Sequence, residues 1–173
     1  PYSFLSAPGQ QPIEFFFYTA TDGVLSNAMV ALEAGDEIFV KREANGFFTL
    51  DEVPSSSTLW LLGTGTGVAP YFSMLKTQEP WQRFERVVLV HAVRQQSDLR
   101  YQGLIDELAK EYGERFVFQA FVSREVVEGT IKGRIPEAIE NGELERSTGI
   151  EITAKDSQLM LCGNPEMVAD TTT

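Results

Sequence analysis

The sequence holds one cysteine, Cys162, and one histidine, His91. A lone cysteine excludes an internal disulfide and fits a reducing compartment. A lone histidine argues against a His-rich metal site and against Ser-His-Asp hydrolase chemistry, so no metal is expected. Apolar runs are short: none approaches the roughly 18 to 20 residues that span a bilayer, and no charged segment followed by an apolar stretch opens the chain. A soluble, cytoplasmic protein with no membrane contact is the expectation. Basic residues are also scarce, 14 Lys and Arg against 25 Asp and Glu, for a net charge of −11. That balance excludes a non-specific nucleic-acid binder, which needs a basic face to displace counterions. It also makes the position of each arginine informative.

What is present is ample apolar material. In 173 residues, 43% are hydrophobic and 11% aromatic, enough to bury a core and to exclude disorder. The chain starts at Pro1 inside a strand-like run and stops at Thr171-Thr172-Thr173, and so reads as a piece of a longer protein.

Two rhythms divide it. Residues 1–53 read as antiparallel β structure: PYSFLSAP and IEFFFYTAT flank a turn at Gly9 to Pro12, and DEIFVKRE and GFFTL flank a turn at Ala44-Asn45-Gly46. Between them VLSNAMVALEAGD reads as a short helix with Ser26 as N-cap and Gly35 as its stop. The Pro/Ser-rich DEVPSSS marks the boundary, and residues 54–173 change pattern. TLWLLG, RVVLVHAV, RFVFQAFVS and SQLMLCG are nearly continuous apolar runs, as expected of strands buried on both faces of a parallel sheet. Helical segments separate them. The clearest is DLRYQGLIDELAKEYG, with Leu104, Ile105, Leu108 and Tyr112 on one face; IPEAIENGEL and PEMVADT supply two more, each entered through proline. The expected fold is therefore α/β plus all-β, with right-handed crossovers in the second part.

In a parallel sheet, ligands bind beyond the carboxyl ends of the strands. Four segments stand there: Gly63 to Pro70, His91 to Arg94, Ser123 to Glu125 and Cys162 to Pro165. In GTGTGVAP, residues Gly63, Thr64, Gly65, Thr66 and Gly67 offer a backbone that a pyrophosphate can approach, and Pro70 suits a first helical turn. A site for NAD ends its second strand in a carboxylate that accepts the ribose hydroxyls; here that strand ends in Arg94. Arginine binds a 2′-phosphate that a carboxylate would repel. Ser123-Arg124 closes the third strand and Arg134 follows, so the site reads as one for NADP(H).

These residues resemble those of bacterial-type ferredoxin/flavodoxin–NADP⁺ reductases, and the resemblance runs along the whole chain. Pro1-Tyr2-Ser3 matches the end of that family's Arg-x-Tyr-Ser motif, and Gly23-Val24-Leu25-Ser26 matches its Gly-x-Leu-Ser. The resemblance implies that residues 1–53 are part of an antiparallel FAD-binding barrel and 54–173 an NADP-binding α/β domain. It implies that Tyr2 packs on the isoalloxazine ring, that Ser3 hydrogen-bonds near the flavin N5, and that Phe15, Phe16, Phe17 and Tyr18 line the flavin and adenine. Gly23, Leu25 and Ser26 would hold the FAD pyrophosphate, and Thr66 would touch the flavin from the other domain. Cys162, Gly163 and Asn164 would border the nicotinamide, Cys162 without a covalent role. The implied function is electron transfer between NADP(H) and ferredoxin or flavodoxin through FAD, by a monomer. Two other readings stand beside it: the reductase component of an oxygenase, and a dinucleotide-binding module without turnover. No cysteine cluster suited to an iron–sulfur domain supports the first.

Overall fold

A computed structural model describes residues 2–41, 43 and 46–172. Pro1, Ala44 and Asn45, three positions of the expected motif and turn, and Thr173 lie outside the described residues. The chain runs α1 (Val24–Val30), β1 (Thr58–Thr64), a 3-10 turn at Gly65–Val68, α2 (Ala69–Leu75), α3 (Glu79–Arg83), β2 (Arg86–Val93) and α4 (Gln102–Tyr112). It continues through β3 (Phe116–Val122), β4 (Thr130–Ile131), α5 (Ile135–Glu140), α6 (Glu143–Thr148), β5 (Ser157–Cys162) and α7 (Pro165–Thr172).

The strands form one parallel sheet in the order β4-β3-β2-β1-β5. The chain moves outward from β1 to β4 and then returns to place β5 on the other side of β1, which makes the β1/β5 junction the switch point of the sheet. Period-two alternation sorts β1 onto two cores. Leu59 and Leu61 join Val87, Leu89, Phe72, Leu75 and Trp81 under α2 to α4, whereas Trp60 and Leu62 join Val88, Val90, Ile135, Leu144 and Met167 under α5 to α7. Each such side chain contributes about 1.5 to 3 kcal/mol by leaving water. This double burial is what the continuous apolar runs signalled.

The segment before β1 differs from its sequence expectation. Among the described residues 2–53, antiparallel pairing is confined to a bridge between Phe4 and Phe15, with the Leu5 amide donating to the Glu14 carbonyl at 2.9 Å. Strand-forming residues need a hydrogen-bonded neighbour, and among the described residues none pairs with 36–41 or 46–50, where Phe39 and Phe47 are exposed. Gly23 rather than Ser26 is the N-cap of α1, and the helix ends at Val30 with Ala31 as its C-cap, short of Gly35. The expected helix over 135–144 is instead two, divided at Asn141-Gly142, where Gly142 has φ +72°.

Residues 2–53 nevertheless sit firmly on the α2 side of the sheet. Leu5 and Leu50 are part of its core. Ser73 Oγ donates to the Ser6 carbonyl at 2.8 Å, Lys76 Nζ to the Leu5 carbonyl at 3.3 Å, and Arg83 Nη1 to the Leu50 carbonyl at 2.7 Å. Phe16 meets Tyr101 edge-on at 5.4 Å, and Tyr101 in turn packs on Phe72 at 5.3 Å.

Candidate active site

The carboxyl ends of β1, β2, β3 and β5 open into a cleft of about 860 Å³. Its floor is the loop after β1, residues 64–67, which meets the loop after β5 at the switch point. The meeting is backbone on backbone. A Cβ on Gly67 would stand 2.4 Å from the Cys162 carbonyl oxygen, and the Asn164 amide donates to Thr64 Oγ1 at 2.7 Å. Gly163, at φ +134°, comes so close to Thr64 that no side chain fits there. Glycine at 67 and 163 is therefore dictated by the close approach of two loops about a hundred residues apart in sequence.

One step below the cleft lies His91, fully buried near the end of β2. Its Nε2 is 2.9 Å from the Gly65 carbonyl oxygen, and burial lowers its pKa to about 4, so the ring is neutral at pH 7. Cys162, half-buried at the end of β5, faces the cleft, and burial pushes its thiol pKa up. A thiol held protonated is a wall rather than a nucleophile. The Tyr71 hydroxyl donates to the Met160 carbonyl at 2.7 Å beneath it, and burial raises its pKa as well.

Arg94, Ser123 and Arg134 line one region of the cleft. Among the described residues Arg94 makes no ion pair, while Arg134 pairs with Asp170 at 3.1 Å. Arg124 is exposed and is not among the lining residues; its backbone amide donates to the Arg94 carbonyl at 3.0 Å. Gly63 is also below the surface, with Val68 and Tyr71 packed where a Cβ would stand.

Tyr2, Ser3, Phe16 and Tyr18 line the cleft from the first part of the chain. Alternation divides the aromatic run: Phe16 and Tyr18 line the cleft, whereas Phe15, packed on Phe4, and Phe17, packed against Tyr2, are not among its lining residues. Gly23, Leu25 and Ser26 stay outside the lining. Ser26 Oγ is engaged in its own turn, accepting from the Ala20 amide at 3.2 Å and donating to the Gly23 carbonyl at 3.3 Å. Asp98, Gly133, Ile135 and Met167 complete the lining without having been singled out in the sequence. Of these, Asp98 carried a local signal, since it forms a reciprocal cap with Gln95 just after Arg94. Among the described residues, no group of three or more His, Cys, Asp or Glu side chains could hold a metal ion, and no helix is long and apolar enough to cross a membrane.

Comparison with known proteins fits this geometry. The family model described as "Oxidoreductase NAD-binding domain" matches residues 61–173. The flavodoxin/ferredoxin–NADP reductase of Escherichia coli (strain K12) is 48% identical over 170 residues, 98% of this chain and 68% of that protein. The chain belongs to the flavodoxin/ferredoxin–NADP reductase family. The ferredoxin–NADP reductase of Pseudomonas aeruginosa is a more distant relative, 32% identical over 178 residues with 98% and 68% covered. A ferredoxin NADP⁺ reductase from Neisseria gonorrhoeae, solved with bound FAD and NADP, superposes with a TM-score of 0.92 at 32% identity over 99% of this chain and 69% of that one. The resemblance drawn from Tyr2-Ser3, Gly23 to Ser26 and the strand-end arginines thus named the right family. As a flavodoxin/ferredoxin–NADP reductase family member, the chain is part of an oxidoreductase, and it spans about two thirds of the length of these relatives.

Proposed function

We propose that this chain forms the NADP(H) site and one wall of the FAD site of a reductase that passes electrons between NADP(H) and ferredoxin or flavodoxin. Residues 1–53 belong to the FAD-binding domain and 54–173 to the NADP-binding domain, and the enzyme works as a cytoplasmic monomer. The observation that carries the reading is the composition of one continuous cleft. An arginine with no carboxylate partner among the described residues stands on one side, and Cys162, Thr66, Tyr2 and Ser3 line the same cleft from the two parts of the chain.

The residues fit both cofactors. FAD supplies the exchange between two-electron hydride transfer and one-electron donation, so no side chain need act as acid or base. Tyr2 and Ser3 offer a ring and a hydroxyl for the flavin, and Thr66 approaches it from the opposite domain. The side-chain-free backbone at Gly65, Gly67 and Gly163 lets the nucleotide lie against the strand ends, with Cys162 and Asn164 bordering the nicotinamide. Arg94 and Ser123 hold the 2′-phosphate. Arg134, shared with Asp170, and Arg124, off the cleft, add less to that hold.

Replacing Arg94 tests this in the full-length enzyme. A hydrogen bond to a charged group contributes about 1.5 to 3 kcal/mol, so Arg94→Ala should raise the KM for NADPH about tenfold to a hundredfold. NADH, which lacks the phosphate, should be used at its wild-type rate. Equal losses with both nucleotides would show that Arg94 supports structure instead of reading the phosphate.

A further inference from the structure

His91 lies outside the cleft lining, yet it touches the loop that forms the cleft floor. A carbonyl oxygen only accepts, so the ring nitrogen 2.9 Å from the Gly65 oxygen carries the hydrogen: His91 is the Nε2–H tautomer. The other nitrogen, Nδ1, is buried with no hydrogen-bond partner among the described residues. An imidazole with one unsatisfied buried nitrogen is costly to keep, and an aliphatic residue would continue the run Val87 to Val90 without that cost. What the ring provides in return is a fixed donor aimed at one carbonyl.

The direction of that carbonyl has a consequence for the cleft. The Gly65–Thr66 peptide is trans and planar, so its N–H points opposite to its C=O. With the carbonyl held inward against β2, the Thr66 amide must face outward, and Thr66 lines the cleft. Gly65 itself has φ +54°, which glycine adopts without a Cβ clash, and it opens the 3-10 turn Gly65–Val68, to whose first carbonyl His91 adds a side-chain contact from β2.

We infer that His91 is a positioning residue whose Nε2–H holds the Gly65 carbonyl against the sheet and thereby aims the Thr66 amide at the cofactors. This rests on the function proposed above and adds to it a residue that touches neither nucleotide nor flavin. Because NADPH and NADH differ only in the 2′-phosphate, which the function proposed above assigns to Arg94 and Ser123, the effect should be the same with both nucleotides.

Two measurements on the full-length, FAD-loaded enzyme test it. In ¹⁵N-histidine-labelled protein, the ring signals of His91 are assigned by their disappearance in His91→Gln, and two-bond ¹H–¹⁵N correlations at neutral pH should show a neutral ring protonated at Nε2. A ring protonated at Nδ1, or a cationic one, overturns the inference. Rapid-mixing measurements of flavin reduction should then show His91→Leu slowed about tenfold with NADPH and NADH alike, the scale of one lost hydrogen bond. His91→Gln, whose amide can still donate to Gly65, should stay close to the wild-type rate. Gln slowed like Leu, or slowed tenfold when Leu does not fold, overturns the donor role, as does Leu at the wild-type rate. A wild-type enzyme that does not oxidise NADPH would instead refute the proposed function, so the two failures are told apart.

Discussion

Gly67→Ala isolates the contact between the two loops at the switch point. Gly67 has no left-handed backbone angle, so alanine adds a methyl group and no torsional strain. That methyl carbon would stand 2.4 Å from the Cys162 oxygen, 2.7 Å from the Cys162 carbonyl carbon and 2.8 Å from Gly163 Cα. All three are backbone atoms, so no side-chain rotation relieves the contact. A carbon and an oxygen settle no closer than about 3.3 Å, and the loops after β1 and β5 must therefore separate by about 1 Å. Overpacking on this scale costs about 1 to 3 kcal/mol, which should appear as a Tm lowered by several degrees. The kinetic effect should be larger than the stability effect suggests, because a shift of about 1 Å in reacting groups can slow a reaction about a hundredfold. Stopped-flow reduction of the flavin by NADPH measures that step. Binding of 2′,5′-ADP, which carries the phosphate but no nicotinamide, should be unchanged, since Arg94 and Ser123 are untouched. Gly163→Ala presses on Thr64 from the other loop at φ +134°, so the double variant should lose less than the sum of the singles. Flavin reduction at the wild-type rate in Gly67→Ala would refute the argument that contact between these loops sets the nicotinamide geometry.

His91 also predicts an acid dependence. Burial lowers its folded pKa to about 4 from 6.5, with the Gly65 hydrogen bond and Asp98 opposing the shift, so between those values the unfolded chain binds more protons than the folded one. Stability should fall as pH drops from 6.5 toward 4, by roughly 3 kcal/mol at most, and urea titrations of His91→Gln should show a shallower decline than wild type; parallel curves would contradict it. Tyr71→Phe removes the donor to the Met160 carbonyl, 2.7 Å away in the core, and should cost about 1 to 3 kcal/mol as read from the urea midpoint. An unchanged midpoint would show that the carbonyl is satisfied without the tyrosine.

The parallel sheet was readable because burial on both faces leaves a continuous apolar run, as in Leu59 to Leu62 and Val87 to Val90. Features that depend on distant partners left a weaker trace. The Thr130–Ile131 strand is too short to show a period, and the Phe15 to Tyr18 run looks uniformly apolar although alternate residues take opposite sides. Strand propensity at Phe39 and Phe47 was real but insufficient, because a strand also needs a neighbour to bond to. At the site, chemistry was legible and geometry was not. The expectation of an anion at Arg94 comes from residue type alone, whereas the contact of Gly67 with Cys162 and Gly163 lies nearly a hundred residues across the sequence and shows only as two glycines. His91 falls between these cases. A single imidazole inside Val87-Val88-Leu89-Val90-His91-Ala92-Val93 must find a partner if buried, so the sequence poses the question of where its hydrogen goes. Only the return of the chain from β1 through Gly65 answers it, and that answer turns an apparent core residue into one that faces the floor of the cleft.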